Sequence, residues 1–292
     1  MPVSAAVAMA ALTGVSACST GTHNLTIEQA KARAKTLSSV AVPSTIRPLK
    51  NYRIDESTGQ LTLPLDKFSA NFAQLQTLDY ATQVLDRQCL ARVGVDLPLV
   101  DLRSEKPGVS RLYGMWLERQ INSYGYKLEP ESRTVAERLR VGSSVARSPR
   151  QVEALQACRE QNPAYKELAE IGGNISIPVA NAYDRVLKSP QGQAVIMAWR
   201  SCLTSNGVAV DPEPRNLWLP TGLPVRDDAE AKRIGLTDVA CKRKVKLVET
   251  LLSLEADAQE RIVNANRPAL EAKAANLKRI LKRADAIIAH RD

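Results

Sequence analysis

The chain has 292 residues and a formal net charge of +9, and only 4% of its residues are aromatic. Its histidines are His23 and His290, and no two of the five cysteines form a C-x-x-C pair, so we predict no metal site and no cofactor. A Ser-His-Asp or Cys-His mechanism needs a positioned imidazole, which neither histidine is placed to supply. The sequence therefore nominates no catalytic residue.

The amino-terminal stretch has the pattern of an export signal. Residues 1–17 carry no charge, and Ala5–Val15 form an apolar run that is too short to span a bilayer. The small residues Val15-Ser16-Ala17 precede Cys18, as in the lipobox of bacterial lipoproteins, although no Lys or Arg precedes the apolar run. We predict a signal peptide over 1–17, lipidation of Cys18, and a location on the outer face of the cytoplasmic membrane. The alternative is an ordinary signal peptide with a chance cysteine.

A tether and a helical body follow the lipobox. Residues 18–48 mix small and polar side chains with two prolines and read as a flexible tether. Residues 49–236 read as a globular domain that begins with a small hairpin, Tyr52–Ile54 and Gln60–Leu63, around the turn-forming stretch 55–59. The fold class that we predict is mostly α, a disulfide-stapled helical domain with a small amino-terminal β-hairpin and a long carboxy-terminal helix.

Periodic apolar residues predict a series of helices in the body. Ser69 is the predicted cap of the first, and its inward face includes Phe72, Leu75 and Cys89. The predicted helices are Phe68–Val93, Val109–Asn122, Ser132–Val141, Pro149–Glu160, Ala164–Ile171, Pro178–Leu187 and Gln191–Asn206.

Four cysteines remain once Cys18 is assigned to a lipid, and an even number in an exported chain indicates disulfide bonds. The stretches Arg87–Val95 and Arg200–Val208 share one frame, in which an Arg precedes a Cys-Leu pair and a Gly follows the cysteine by five positions. Four cysteines allow three pairings. The repeat favours Cys89 with Cys158 and Cys202 with Cys241, each worth about 4 kcal/mol in the chain-entropy model.

Residues 237–292 are predicted to form one long helix with a kink near 264–268, because Pro268 removes a backbone donor there. Its last part carries apolar residues at 3-4-3 spacing, which is typical of a coiled-coil seam. We expect this part to stand exposed as an arm that binds a protein partner through Leu277, Ile280, Ala284 and Ile287.

The positive charge could face an anionic partner. In an exported protein it favours lipid or an anionic wall polymer over nucleic acid, which we do not expect to bind. The candidate basic groups are Lys242-Arg243-Lys244 with Lys246, and Lys278-Arg279 with Lys282-Arg283; a solvated helix face is the alternative. Tyr113, Trp116, Tyr124 and Tyr126 could form a saccharide or peptide platform, but core packing is favoured.

Several motifs together resemble a family of exported actinobacterial lipoproteins, over roughly residues 60 to 290. They are Leu63-Pro64-Leu65-Asp66-Lys67-Phe68, Arg87–Gly94, Tyr113-Gly114, Tyr124-Gly125-Tyr126, Trp199–Gly207 and Asp238-Val239-Ala240-Cys241-Lys242. The resemblance implies an extracytoplasmic protein encoded near transport machinery, and it brings no activity or catalytic residue. Phe68, where a Tyr is commoner, and Pro268 depart from the family pattern.

We therefore expect a lipid-anchored extracytoplasmic binding or interaction protein, accessory to a cell-envelope or transport complex. The alternative is a cell-wall-active hydrolase that uses paired carboxylates, since the 31 acidic residues offer many pairs.

Overall fold

The computed structural model describes residues 51–126, 135–136, 148–169, 176–211, 217 and 227–290. In these residues the chain is mostly α-helical, with a two-stranded hairpin, two disulfide bonds and a long carboxy-terminal helix, so the predicted fold class is confirmed. The predicted signal peptide, Cys18, the tether and nearly all of the predicted helix Ser132–Val141 lie outside the described residues.

The hairpin forms where the sequence predicts it. Strand β1 (Arg53–Asp55) pairs antiparallel with β2 (Gln60–Thr62), and Ile54 lies opposite Leu61. The Asp55 carboxylate accepts hydrogen bonds from the hydroxyl of Ser57 and from the backbone of Ser57 and Thr58, which lowers its pKa to about 2. These bonds to the ionised form close the turn.

A 3-10 turn (Asp66–Phe68) and eight α-helices are assigned within the described chain. The helices are α1 (Phe72–Ala91), α2 (Glu118–Tyr124), α3 (Pro149–Gln161), α4 (Pro163–Ala169), α5 (Ser176–Lys188), α6 (Pro190–Ser205), α7 (Asp228–Lys244) and α8 (Leu247–Ala289).

Two early helices begin later than the sequence predicts. The cap of α1 is Asn71 rather than Ser69, because Asn71 and Gln74 exchange side-chain and backbone hydrogen bonds in a capping box. Leu75 is 48% exposed, so the prediction that it lies on the inward face of this helix is wrong. The predicted helix Val109–Asn122 is helical only from Glu118, the start of α2.

The predicted single helix from residue 237 is two helices. Helix α7 already starts at Asp228, where the Asp227 side chain accepts from Glu230 N at 2.7 Å. Lys246 then adopts a left-handed conformation (φ 54°, ψ 42°) and separates α7 from α8. Within α8, Asn266 is non-helical (φ −127°, ψ 17°), so the helix bends two residues before Pro268, inside the stretch 264–268.

The disulfide pairing predicted from the repeat is confirmed. Cys89–Cys158 joins α1 to α3, and Cys202–Cys241 joins α6 to α7. Gly94 and Gly207 end the two repeated helices at φ +75° and +73°, the left-handed region that favours glycine.

The predicted partner-binding stripe of α8 lies inside this chain. Leu277, Ile280, Ala284 and Ile287 are all buried, in one cluster with apolar residues of α1 and α4. The periodicity is that of a helix packed on another helix, and the other helix is α1. The expectation that these four side chains stand exposed for a partner is therefore wrong.

Replacing Ile280 with Ala tests this packing. Ile280 has no exposed surface, so Ile280→Ala should lower the free energy of unfolding, measured by urea denaturation, by about 2 to 5 kcal/mol. The control Lys282→Ala, two residues on and exposed, should change it by less than about 0.5 kcal/mol. Equal effects of the two changes would mean that the end of α8 is not core.

Candidate functional site

Lys242, one of the basic residues that the sequence places on a surface, is buried in the domain. Only 1% of it is exposed. Its Nζ donates to Asp238 Oδ2 and to the Met115 carbonyl at 2.9 Å, and to the Leu217 carbonyl at 3.1 Å. The prediction that Lys242 faces an anionic partner is therefore wrong. Its ammonium group instead forms an ion pair and hydrogen bonds in the interior of the domain.

Asp238 completes this buried pair. It accepts a hydrogen bond from Trp199 Nε1 at 2.7 Å and from the Tyr126 hydroxyl at 3.1 Å. Burial raises the pKa of Asp238 and lowers that of Lys242, while the ion pair opposes both shifts. Trp199, Tyr126 and Lys242 thus all bond Asp238, and Lys242 directly follows Cys241 of the second disulfide.

A hydrogen-bonded ion pair also lies next to the other disulfide, Cys89–Cys158. Asp86 on α1 accepts two bonds from the Arg159 guanidinium, at 2.9 and 2.5 Å, and one from the Tyr165 hydroxyl at 2.7 Å. Arg159 directly follows Cys158, and the Tyr165 hydroxyl lies 3.7 Å from Cys89 Sγ. This bidentate pair links α1 to α3 next to the disulfide that joins them.

A third polar group centres on Glu255 of α8, which is 1% exposed. Its carboxyl accepts from the Tyr113 hydroxyl at 2.5 Å and from Gln259 Nε2 at 3.0 Å, and Gln259 Oε1 accepts from Leu65 N. Burial raises the pKa of Glu255, and the hydrogen bonds from Tyr113 and Gln259 oppose this only in part. The nearby carboxyl of Asp66 adds to the rise.

The Glu255 carboxyl should make stability depend on pH. Its folded-state pKa lies above the unfolded value, so between the two the folded chain binds more protons and stability falls as pH rises. A Glu255→Gln variant cannot ionise. Its free energy of unfolding should therefore gain on that of the wild type between pH 4 and pH 7, by about 1.4 kcal/mol per pH unit separating the two pKa values.

Urea denaturation at both pH values measures this gain. Glu249→Gln, on the exposed side of the same helix, is the matched control and should show no such change. A Glu255→Gln difference that stays constant between pH 4 and pH 7 would show that folding does not shift the pKa of this carboxyl.

The hydrolase alternative requires a cleft that holds two carboxylates. One small cleft, between the hairpin and the start of α8, is lined by Glu56 and Glu249 together with Trp116 and Arg243. Its volume is about 40 Å³, which is room for a few water molecules. A saccharide ring does not fit into this space.

A larger cleft, which we call the α8 cleft, lies between the α5–α6 turn and the part of α8 that ends at the bend. Its volume is about 490 Å³, within the range of small-molecule sites. Its lining is Arg185, Val186, Ser189, Gln191, Leu254, Ala258, Arg261, Ile262, Ala265 and Asn266. Five of these ten described residues are aliphatic, and none of the ten is acidic.

Local sequence shapes one wall of the cleft. Helix α5 ends at Lys188, and Ser189 caps α6 by accepting from Gly192 N at 3.0 Å and donating to the Val186 carbonyl at 2.7 Å. A Cβ at position 192 would lie 2.0 Å from the Val186 carbonyl oxygen, so only glycine permits this tight turn.

The other wall is one stripe of α8. Leu254, Ala258, Ile262 and Ala265 follow each other at 4-4-3 spacing and so share a face. The two alanines leave space where larger side chains would fill the gap to the turn. Asn266, at the bend, closes this end of the cleft, and its Nδ2 donates to the Ile262 carbonyl at 2.8 Å.

The charged groups of the α8 cleft are two arginines. Arg185 and Arg261 are both exposed, and Arg261 forms no ion pair with any residue that the structure describes. Ser189 uses its hydroxyl as a helix cap, and none of the described residues that line this cleft carries a thiol, an imidazole or a carboxylate. The arrangement is suited to binding an apolar ligand that carries negative charge.

The remaining candidate residues are placed as follows. Tyr113 and Trp116 are buried, and Tyr126 bonds Asp238, so these three belong to the interior. The exposed basic residues of the last turns are Lys278, Arg279, Lys282 and Arg283, of which Arg283 pairs with Glu167 at 3.1 Å. Arg243 pairs with Glu118 at 2.7 Å on the surface.

Two kinds of feature, a membrane-spanning helix and a cluster of metal ligands, are absent from the described residues. No helix among them has the length and apolar content to cross a bilayer. No cluster of three or more His, Cys, Asp or Glu side chains that could hold a metal ion occurs in the described ranges.

Sequence reasoning did not find the α8 cleft. The available signals were two alanines, Ala258 and Ala265, on one stripe of α8 and the Pro-Gln-Gly start of α6. Comparison of the chain with protein-family models, curated proteins and solved structures finds no match.

Proposed function

We propose that this chain is a lipid-anchored extracytoplasmic binding protein, accessory to a cell-envelope or transport complex at the outer face of the cytoplasmic membrane. The observation that carries the proposal is the α8 cleft, an open space of about 490 Å³ with an aliphatic lining and two arginines. Such a site can bind a ligand, and its described side chains include no group that would transform that ligand chemically.

The use of reactive side chains elsewhere supports binding over catalysis. The four cysteines of the body form disulfides, and Asp238, Lys242 and Glu255 are engaged in buried hydrogen bonds. Catalysis by acid and base needs such groups within reach of a bound substrate. The cleft with two glutamates offers only about 40 Å³.

The basic residues of the last turns of α8 suit a position next to an anionic surface. Lys278 and Lys282 lie one helical turn apart on the exposed side and pair with no residue that the structure describes. Basic residues near an anionic membrane contribute about 1 kcal/mol each. We propose that this exposed side of α8 contacts anionic lipid or an anionic wall polymer.

Cys18→Ala tests the anchor. Expressed with its own amino terminus in a bacterial host, the wild-type protein should partition into the detergent phase of a two-phase extraction, because the acylated cysteine carries its apolar chains. Cys18→Ala should move the protein into the aqueous phase. Equal partitioning of the two forms would show that Cys18 is not the site of a lipid anchor.

Ala265→Trp tests the cleft as the binding site. The indole would occupy the cleft, whereas Ala275→Trp places the same side chain on an exposed part of the same helix outside it. Proteins purified from host membranes are extracted, and bound small molecules are identified by mass spectrometry. We expect a compound on the wild type and on Ala275→Trp that Ala265→Trp lacks. Equal retention by all three would place binding elsewhere.

A further inference from the structure

We infer that the ligand of the α8 cleft is an anionic amphiphile with a single alkyl chain, such as a fatty acid or another acyl compound with a negative head group. This inference names the ligand class of the site in the proposed function and rests on that proposal. It comes from the shape, the lining and the charge of the cleft.

The shape of the cleft favours a chain over a compact molecule. The lining stripe of α8 runs from Leu254 to Ala265, and eleven steps of about 1.5 Å give a length of roughly 16 Å. Val186 faces this stripe from the α5–α6 side. An extended ligand that lies along the helix can contact all of these side chains at once.

The lining chemistry favours an alkyl chain over a ring. None of the described lining residues is aromatic, so these residues provide no stacking platform for a base, a sugar ring or an aromatic side chain. Aliphatic walls gain from burying methylene groups, each worth about 0.8 kcal/mol in transfer from water. The apolar part of the ligand is therefore best matched by a saturated chain.

The charge of the cleft favours a negative head group. Arg185 and Arg261 both line it, and no carboxylate occurs among its described lining residues. The amino-terminal end of α6 meets the cleft at Ser189 and Gln191, and this end of a helix carries a partial positive charge. Glu260, the residue before Arg261, already accepts a bond from Asn51 Nδ2 at 2.6 Å, and the other acidic residues close in sequence to the two arginines, Asp184 and Asp257, are not among the described lining residues.

Isothermal titration calorimetry with three probes of equal chain length tests the inference. The probes are dodecanoate, neutral dodecanol and cationic dodecyltrimethylammonium, each below the concentration at which it aggregates. Dodecanoate should bind about ten- to hundredfold more tightly than the other two, because only its head group carries a negative charge and can form a bidentate ion pair with arginine. Ala265→Trp should abolish the binding, and Ala275→Trp should leave it unchanged.

Charge variants locate the head group. Arg261→Gln should weaken dodecanoate binding by about tenfold and leave dodecanol binding unchanged. The matched control is Arg267→Gln, an exposed arginine beyond the bend that bonds Asn264 and does not line the cleft. It should bind dodecanoate like the wild type. Equal losses in the two variants would show that general surface charge, not the cleft, attracts the probe.

The outcomes separate this inference from the proposed function. If dodecanol or dodecyltrimethylammonium binds as tightly as dodecanoate and Ala265→Trp blocks it, the cleft binds ligands but the anionic class is wrong. If no probe binds in a way that Ala265→Trp blocks, the alkyl-chain class is wrong. In that case a compound that still co-purifies with the wild type and not with Ala265→Trp leaves the binding function standing.

Discussion

The buried face of α8 is the constraint on which the rest of the described chain depends. The 3-10 turn and helices α1, α4, α5, α6 and α7 all pack on it. The helix spans Leu247–Ala289 and contains no aromatic residue, so apart from the buried Glu255 and Gln259 its inner face consists mainly of small and aliphatic side chains. Elements that pack on such a face must supply the bulk themselves, as α1 does with Tyr80 and Leu85 and α6 with Trp199. Where a neighbour is a turn and not a helix, the bulk is missing and space remains. The α8 cleft lies at such a place, opposite the α5–α6 turn.

The buried pair of Lys242 and Asp238 fixes a different part of the fold. Moving two charges out of water is costly, and a buried ion pair is often no more stable than apolar residues of the same volume. Its value here lies in geometry, because the Lys242 ammonium satisfies acceptors at Met115, Leu217 and Asp238, which lie in three separate segments of the chain. A methionine would fill the space but would leave two carbonyls and a carboxylate without their donor. Breaking a buried pair in this way typically costs about 3 to 5 kcal/mol. The pair therefore holds Met115 and Leu217 to α7.

The sequence predicted the features that depend on local chemistry. The repeat around Cys89 and Cys202 identified the disulfide pairing and the glycine ends of α1 and α6, because a left-handed cap and a fixed cysteine position leave a signature within ten residues. It failed where the answer depends on distant parts of the chain. The stripe through Ile280 has the spacing of a helix seam, but spacing does not say whether the second helix belongs to another protein or, as here, to α1. Lys242 stands in a basic run that reads as surface, and only the fold brings acceptors around it. The sequence could not predict the α8 cleft for the same reason. An alanine on one stripe of a helix can indicate either close packing or empty space.

The polar residues fall into two groups, buried carboxyls and the arginines of the α8 cleft, and this separation supports the proposed binding function. Groups that are able to do chemistry, such as the carboxyls of Asp86, Asp238 and Glu255, lie in the interior, where each accepts at least two hydrogen bonds. A carboxyl held in this way cannot move a proton to a substrate without losing the bonds that hold the fold together. The guanidinium of Arg261, by contrast, lines the cleft and has no ion-pair partner in the described chain, so a ligand can bind it without breaking any such contact. An arginine can recognise an anion but is a poor proton donor, because it stays charged at every physiological pH. Recognition of an anion without acid–base chemistry is what the proposed binding of an anionic amphiphile requires.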